Sequence, residues 1–181
     1  MRYAGIIYDD TAAAPGLCLS FYTQGCPIHC PGCHNPETWD PDRGYEFTAE
    51  TMDHIIEGIK KNGVNRNFAV LGGEPLAQFN LFLTAMVVQT VRQAYPQIKI
   101  WLWSGYNMDE IIQNAGSYPH LKLILQNIDA IVAGPFIQEE RDITLPYRGS
   151  KNQIVWYLDH EKNIWYNKEN NREYENVRRK D

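Results

Sequence analysis

Hydrophobic residues follow two periods along this chain, one typical of buried strands and the other of amphipathic helices. Short apolar runs that predict strands occupy residues 17–23, 68–71, 98–103, 129–133 and 153–157. Between these runs, apolar residues recur every three or four positions, which predicts helices with one core-facing side over residues 52–59 and 83–94. The pattern therefore predicts strands and helices in alternation.

Polar residues at the ends of these segments agree with the predicted helices. Thr48 is a predicted helix N-cap, and the Asn62-Gly63 pair ends the same helix. Asn107 and Glu110 have the spacing of a capping box, which predicts a further short helix after the third strand.

The alternation predicts an α/β fold with a mainly parallel sheet. The chain has 181 residues, whereas a closed eight-stranded barrel usually needs about 250. We therefore predict a partial, open (β/α) barrel over residues 1–158. Residues 159–181 are polar and dense in mixed charge, which predicts a solvated C-terminal tail.

Composition excludes several classes of partner. The net charge is −5 and no basic patch is evident, so we expect no nucleic acid partner. No apolar stretch approaches the roughly 20 residues that span a bilayer, so we expect no membrane association. Four cysteines without an export signal predict a reducing, cytoplasmic location.

Three of the cysteines lie within eight residues, as Cys26, Cys30 and Cys33. The prolines and glycines between and around them predict a wrapped loop that can turn several sulfurs toward one centre. Iron–sulfur clusters are usually held by four thiolates, so three leave one iron without a protein ligand. Because the loop follows a predicted strand, the centre is expected at the carboxyl end of the sheet.

Other interpretations of this loop remain open from the residues alone. Three cysteines beside His29 or His34 match the Cys3His set of a structural zinc site, as in a zinc-stabilised binding module without catalysis. A disulfide framework is disfavoured because only four cysteines occur. Cys18 lies inside an apolar run and is predicted to be a buried thiol.

A second motif, Gly72-Gly73-Glu74-Pro75, directly follows the second predicted strand. Glycines lack a Cβ, so the backbone there can approach another group closely. By itself a glycine pair after a strand is more typical of an ordinary turn. Its position after the cysteine loop and a strand favours a ligand site.

Taken together, these motifs resemble a known family. The cysteine spacing is that of radical S-adenosylmethionine enzymes, and residues 33–40 resemble the glycyl-radical-enzyme activases. Residues 101–106 and 148–153 are similar to the anaerobic ribonucleoside-triphosphate reductase activating proteins. The motifs occur in that family's order from about residue 14 to about residue 155.

The resemblance implies a set of cofactor contacts and no catalytic side chain beyond the cofactors. A 4Fe-4S cluster is expected on the three cysteines, with S-adenosyl-L-methionine on the open iron. The residues expected near S-adenosylmethionine are Gly72, Gly73, Glu74, Pro75, Ser104, Gly134 and Asn35. Glu74 is expected near the ammonium group, Ser104 at the carboxylate or ribose, and Gly134 at the adenosine.

Two further positions bear on the resemblance. Most radical S-adenosylmethionine proteins carry an aromatic residue just before the third cysteine, where this chain has Gly32. That glycine favours the reductase-activating subgroup and leaves the contact with adenine unassigned. Arg148 is a candidate ligand for a carboxylate of the cofactor or of a partner protein, or else a surface ion pair.

The activity that the resemblance implies is reductive cleavage of S-adenosylmethionine to a 5′-deoxyadenosyl radical. That radical would generate a glycyl radical on the glycyl radical subunit of anaerobic ribonucleoside-triphosphate reductase, with a flavodoxin or ferredoxin as electron donor. Two alternatives share this chemistry: an activase of another glycyl radical enzyme, and a small-molecule enzyme similar to a deazaguanine synthase.

Overall fold

The computed structural model describes residues 1–177, which form one open sheet of nine strands with four α-helices. The strands are β1 (Arg2–Asp10), β2 (Cys18–Thr23), β3 (Tyr45–Glu46), β4 (Asn67–Gly72), β5 (Ile100–Ser104), β6 (Ala130–Ala133), β7 (Ile154–Asp159), β8 (Ile164–Tyr166) and β9 (Glu173–Glu175). The helices are α1 (Ala49–Ile59), α2 (Leu81–Ala94), α3 (Met108–Ala115) and α4 (Pro119–Asn127). The strand order across the sheet is β3-β1-β2-β4-β5-β6-β7-β8-β9.

Four parallel strands, β2, β4, β5 and β6, form the centre of the sheet. Thr23 of β2 pairs with Gly72 of β4, and Ser104 of β5 pairs with Ala133 of β6. The carboxyl ends of these strands are therefore aligned. The loops that follow them meet at one edge of the sheet, which is where α/β folds place their sites.

The predicted helix starts are confirmed. The Thr48 side chain accepts from the Thr51 backbone N–H at 3.3 Å and opens α1. The Glu110 carboxylate accepts from the Asn107 N–H at 2.8 Å and opens α3. Helix α4 was not predicted, although Leu121, Ile124 and Leu125 have helical spacing and are buried.

One face of the sheet forms the larger core with the helices. Its fully buried strand residues include Phe21, Phe68 and Leu102, which belong to the same cluster as Ile55 of α1 and Val87 of α2. Burying a side chain of this size contributes about 1.5–3 kcal/mol. The predicted core faces of the first two helices therefore lie where the pattern placed them.

The opposite face carries a smaller apolar cluster. Cys18, Ala69, Trp101 and Val132 belong to it and are buried. Cys18 is fully buried in β2, as the sequence predicts, and burial raises the pKa of its thiol to about 11.

The prediction of a mainly parallel sheet is wrong. The centre has three parallel pairings, but β1, β3, β7, β8 and β9 add five antiparallel ones. β1 was missed because its side chains are half-buried or exposed, so its sequence lacks a buried run. The α/β class is confirmed, whereas the sheet is mixed and is not closed into a barrel.

The expectation of a solvated tail is wrong for residues 164–176. β8 pairs with β7, and β9 pairs with β8, so the segment extends the sheet. Trp165 is fully buried, and its indole N–H donates to Asn176 Oδ1 at 3.0 Å. One aromatic side chain and one amide side chain thus anchor a segment that is otherwise rich in polar residues. Residues 178–181, at the end of the predicted tail, lie outside the described residues.

Among residues 1–177, no helix has both the length and the apolar character of a transmembrane segment.

Candidate functional site

The three clustered cysteines lie on the loop that follows β2, and all three side chains are partly exposed. They line a cavity of about 170 Å³ at the carboxyl ends of the parallel strands. The other predicted site residues on its wall are Asn35, Gly72, Gly73, Glu74, Ser104 and Gly134. The structure thus brings residues from four separate loops to one cavity.

Backbone hydrogen bonds hold the cysteine loop against the segment that follows it. The Gly25 N–H donates to the Thr38 carbonyl at 2.7 Å, and the Cys26 N–H donates to the Trp39 carbonyl at 3.0 Å. The loop turns through His29, whose φ is 52°, and the His29 ring stacks on the Trp39 ring with centroids 4.7 Å apart. The His29 ring, which lies between Cys26 and Cys30 in the sequence, is therefore held against Trp39.

Gly32 is required by its surroundings. Its φ of +74° lies in the left-handed region, and a Cβ there would overlap Gln138 Oε1. Phe136 also lies close to that position. A side chain at this position would therefore have to adopt a left-handed backbone conformation and displace the end of the Gln138 side chain, which favours glycine.

The glycine motif is joined to the cysteine loop. The Gly73 N–H donates to the Thr23 carbonyl at 2.9 Å, and the Glu74 N–H donates to the Gly25 carbonyl at 2.8 Å. A Cβ on Gly73 would overlap the Gly25 carbonyl oxygen, and Gly72 has a φ of +103°. The close approach that these glycines permit is therefore to the start of the cysteine loop, at the edge of the cavity.

Glu74 is buried, with 1% of its surface exposed, and its carboxylate accepts three hydrogen bonds. Oε1 accepts from Ser104 Oγ at 2.8 Å and from the Leu76 N–H at 2.9 Å, while Oε2 accepts from the Gly105 N–H at 2.7 Å. Burial raises the pKa of Glu74 to about 7, although these three donors oppose the rise. The hydroxyl of Ser104 thus already donates its hydrogen bond to Glu74.

Two further predicted residues lie at the cavity wall in defined backbone positions. Gly134 has a φ of +120°, and its N–H donates to the Ser104 carbonyl at 3.0 Å. The Asn35 N–H points at Cys33 Sγ at 3.4 Å, and the Asn35 carbonyl accepts from Thr38 Oγ1 at 2.7 Å. Asn35 therefore orients the loop and contacts the sulfur of a predicted ligand.

Pro75 is not among the residues lining the cavity. Its carbonyl accepts from Thr84 Oγ1 at 2.8 Å, which ties the motif to α2.

Several residues of the cavity wall are not among the predicted site residues. They are Ile28, Trp39, Leu71, Trp103, Gly105, Phe136 and Gln153. The amide of Gln153 donates to the Gly134 carbonyl at 3.1 Å and accepts from the Gly149 N–H at 2.9 Å. Its place in the 148–153 motif is the available sequence signal.

A second cavity of about 330 Å³ adjoins the first and shares Cys30 and Cys33 with it. Arg148 and Tyr147 line this second cavity. The Arg148 guanidinium forms a bidentate ion pair with Glu169, with a distance of 3.0 Å between Arg148 Nη1 and Glu169 Oε2. The structure therefore shows the ion-pair alternative for Arg148, and a contact with a carboxylate of the cofactor or of a partner protein stays a prediction.

The donor set fits an iron–sulfur cluster better than a single zinc ion. Within residues 1–177, no three His, Cys, Asp or Glu side chains are close enough together to hold one metal ion. A zinc ion needs all its donors within about 2.3 Å of one point, whereas a four-iron cluster presents separate irons to separate thiolates. Burial raises the pKa of Cys26 and Cys30, and the positive charge of bound iron would favour their thiolates.

Comparison with known proteins places the chain in a family. A family model described as a 4Fe-4S single cluster domain matches residues 12–156. Anaerobic ribonucleoside-triphosphate reductase-activating proteins from Vibrio cholerae and Escherichia coli are each 35% identical, over 86% and 87% of this chain and 97% and 99% of theirs.

A protein of the same name from Enterobacteria phage T4 is 29% identical, over 86% of this chain and 94% of its own. The resemblance drawn from the sequence motifs is confirmed. This chain belongs to the family of the anaerobic ribonucleoside-triphosphate reductase-activating proteins and contains a 4Fe-4S single cluster domain.

Proposed function

We propose that this chain is a radical S-adenosylmethionine activase that installs a glycyl radical on anaerobic ribonucleoside-triphosphate reductase. The observation that carries the proposal is the meeting of Cys26, Cys30 and Cys33 with the Gly72–Glu74 segment on one cavity. A group of three thiolates suits a cluster with one open iron. The relatives' names supply the identity of the protein substrate.

Each part of the cavity has a proposed task. Cys26, Cys30 and Cys33 hold the cluster. The partly buried backbone of Gly72 and Gly73 at the cavity wall would accept hydrogen bonds from the ammonium group of S-adenosylmethionine, while Gly134 and Asn35 would contact the rest of that molecule. When bound and reduced, the cluster would supply the electron that cleaves S-adenosylmethionine to methionine and a 5′-deoxyadenosyl radical, which would take a hydrogen atom from a glycine of the reductase.

Glu74 and Ser104 contribute to this site as a hydrogen-bonded pair. The hydrogen bonds to Ser104 and Gly105 fix the Glu74 carboxylate between the loops after β4 and β5. The negative charge that Glu74 carries when ionised lies at the cavity wall and favours a cationic ammonium group. Pro75 contributes by anchoring the motif to α2 rather than by touching the cofactor.

The remaining elements of the proposal concern partners and setting. We propose a flavodoxin or ferredoxin as electron donor, no nucleic acid partner, a cytoplasmic location and the curvature of a partial radical S-adenosylmethionine barrel. The net charge of −5 supports the absence of a nucleic acid partner. The unpaired cysteines support the cytoplasmic location. The four parallel strands with intervening helices support the last.

Electron paramagnetic resonance tests the proposal. Anaerobically reconstituted protein is reduced and incubated with S-adenosylmethionine and an anaerobic ribonucleotide reductase. We expect 5′-deoxyadenosine and a radical doublet on the reductase. Cys30→Ala is expected to abolish both, whereas Cys18→Ala, which removes a buried thiol far from any predicted ligand role, should retain both.

Three outcomes contradict the proposal. Stoichiometric zinc without acid-labile sulfide would indicate the binding module instead. Formation of 5′-deoxyadenosine without any radical on the reductase would indicate another radical enzyme or a small-molecule substrate. Cleavage retained in Cys30→Ala would remove that residue from the ligand set.

A further inference from the structure

The indole N–H of Trp39 is buried, and within residues 1–177 it has no hydrogen-bond partner. An unpaired buried donor costs free energy, and native structures keep few of them. The indole nitrogen can only donate, so its partner must be an acceptor.

The surroundings fix Trp39 at the cysteine loop. Trp39 lines the same cavity as the three cysteines, and its carbonyl accepts from the Cys26 N–H. The Gln24 amide donates to the Glu37 carbonyl at 3.1 Å and to the Asp40 carbonyl at 2.8 Å. These bonds, with the stacked His29 ring, hold the indole on the wall beside the loop that carries the predicted ligands.

Two polar side chains of the cavity wall are already hydrogen-bonded within the protein. Both oxygens of Glu74 already accept hydrogen bonds from Ser104, Leu76 and Gly105. The other indole on the wall, that of Trp103, already donates to the Tyr147 carbonyl at 2.8 Å. Cys26, Cys30 and Cys33 line the same cavity as Trp39, so their sulfurs, and those of the cluster that they would hold, are candidate acceptors.

We propose that the Trp39 indole N–H donates a hydrogen bond to a sulfur of the cluster or of its cysteine ligands, and thereby sets the cluster's reduction potential. This inference rests on the proposed function. A hydrogen bond to sulfur stabilises the reduced state, which carries one more negative charge, and so raises the potential. Trp39 is a positioning residue, because it acts on the reaction through the cluster.

The midpoint potential of the cluster tests this role directly. Trp39→Phe keeps an aromatic ring but removes the donor. We expect about a tenfold decrease in the equilibrium constant for reduction, which is about 59 mV to more negative potential for a one-electron couple. Trp103→Phe is the matched control, since it makes the same change on the same cavity wall but removes a donor that is already paired. We expect it to shift the potential less than a third as far.

The two failures can be told apart. If wild-type protein holds no iron and sulfide after anaerobic reconstitution, the proposed function and this inference both fail. If the cluster is present and Trp39→Phe leaves its potential unchanged, or if both variants shift it equally, only the inference fails.

A measurement on the wild-type side chains covers the case in which Trp39→Phe does not retain its cluster. Protein with 15N in its indole nitrogens is reduced and studied by pulsed electron paramagnetic resonance. We expect an indole 15N coupling to the cluster that persists in Trp103→Phe. Absence of that coupling in wild type, or its loss in Trp103→Phe, would overturn the assignment to Trp39.

Discussion

The hydroxyl of Ser104 donates a 2.8 Å hydrogen bond to the carboxylate of Glu74 and so joins the loops after two adjacent parallel strands. The same carboxylate accepts from the backbone on both sides, at Leu76 and at Gly105. Glu74 is therefore a clamp in this structure, in the sense that its carboxylate holds the loops after β4 and β5 together. The three donors of the protein already form hydrogen bonds with this carboxylate. A contact with S-adenosylmethionine remains a prediction for both residues.

Removal of the Ser104 hydroxyl is expected to weaken this clamp. Ser104→Ala leaves the buried carboxylate with two donors in place of three. A hydrogen bond to a charged group is worth about 1.5–3 kcal/mol, so we expect a loss of that order in the free energy of unfolding. Urea unfolding of the cluster-free protein at pH 8, where most Glu74 is ionised, measures it.

Ser117→Ala serves as the control because Ser117 is exposed and only its backbone N–H is hydrogen-bonded. It should change the free energy of unfolding by less than about 0.5 kcal/mol. Equal stabilities of the two variants would show that the Ser104 hydroxyl contributes nothing to the clamp.

Glu74 also makes stability depend on pH. Burial raises its pKa from 4.5 to about 7, so the folded state binds this proton more tightly than the unfolded state does. The stabilisation is complete below about pH 4.5 and is lost as the pH rises through 7. At about 1.4 kcal/mol for each pH unit of the shift, the loss is roughly 3 kcal/mol.

Urea unfolding of cluster-free protein between pH 5 and pH 8 checks this dependence. Glu74→Gln cannot ionise, so its stability should fall less over that range than the wild-type stability does. The comparison cancels histidines and other groups that titrate in both proteins. Parallel curves for the two proteins would contradict a raised pKa at Glu74.

The centre of the fold could be predicted because its strands are apolar on both faces. β2, β4, β5 and β6 are buried nearly throughout, and their short apolar runs are visible without any partner. The edge strands have no such signal. β8 has three residues, and only its pairing with β7 places Trp165 in the core.

The site likewise has some features that the local sequence predicts and others that depend on the fold. The cysteines and the glycine motif have a local spacing, and the sequence identified them. The bond between Glu74 and Ser104 depends on the register of β4 and β5, in which Val70 pairs with Leu102. The unpaired indole of Trp39 depends on which groups surround it, and no spacing along the chain reports that.

A Cβ at Gly73 is expected to disrupt the site. The added carbon overlaps the carbonyl oxygen of Gly25, which is backbone and cannot move away without breaking the bond from the Glu74 N–H. Gly73→Ala should therefore separate the glycine motif from the cysteine loop. We expect at least a fivefold loss of reconstituted iron and sulfide, measured on anaerobically purified protein.

Gly116→Ala is the matched control. Gly116 ends α3 with a φ of −71°, and no atom lies within 4 Å of its added Cβ. Alanine is compatible with that conformation and should be neutral or stabilising by up to about 1 kcal/mol. Full cluster content in both variants would mean that the loop tolerates the displacement.

Trp165 should be essential for the C-terminal strands. Its side chain is fully buried, and its indole N–H donates to Asn176, whose amide in turn donates to the Leu125 carbonyl of α4 at 3.3 Å. Trp165→Ala removes a large core side chain and the partner of Asn176, so we expect a loss of about 3–5 kcal/mol in the free energy of unfolding. Hydrogen exchange should show that β9 loses amide protection, because β9 pairs with β8 alone.

Ile143→Ala, at a side chain that is 80% exposed, should change neither the free energy of unfolding nor the amide protection of β9 measurably. If Trp165→Ala is as stable as Ile143→Ala, then residues 159–177 behave as the solvated tail that the sequence predicts.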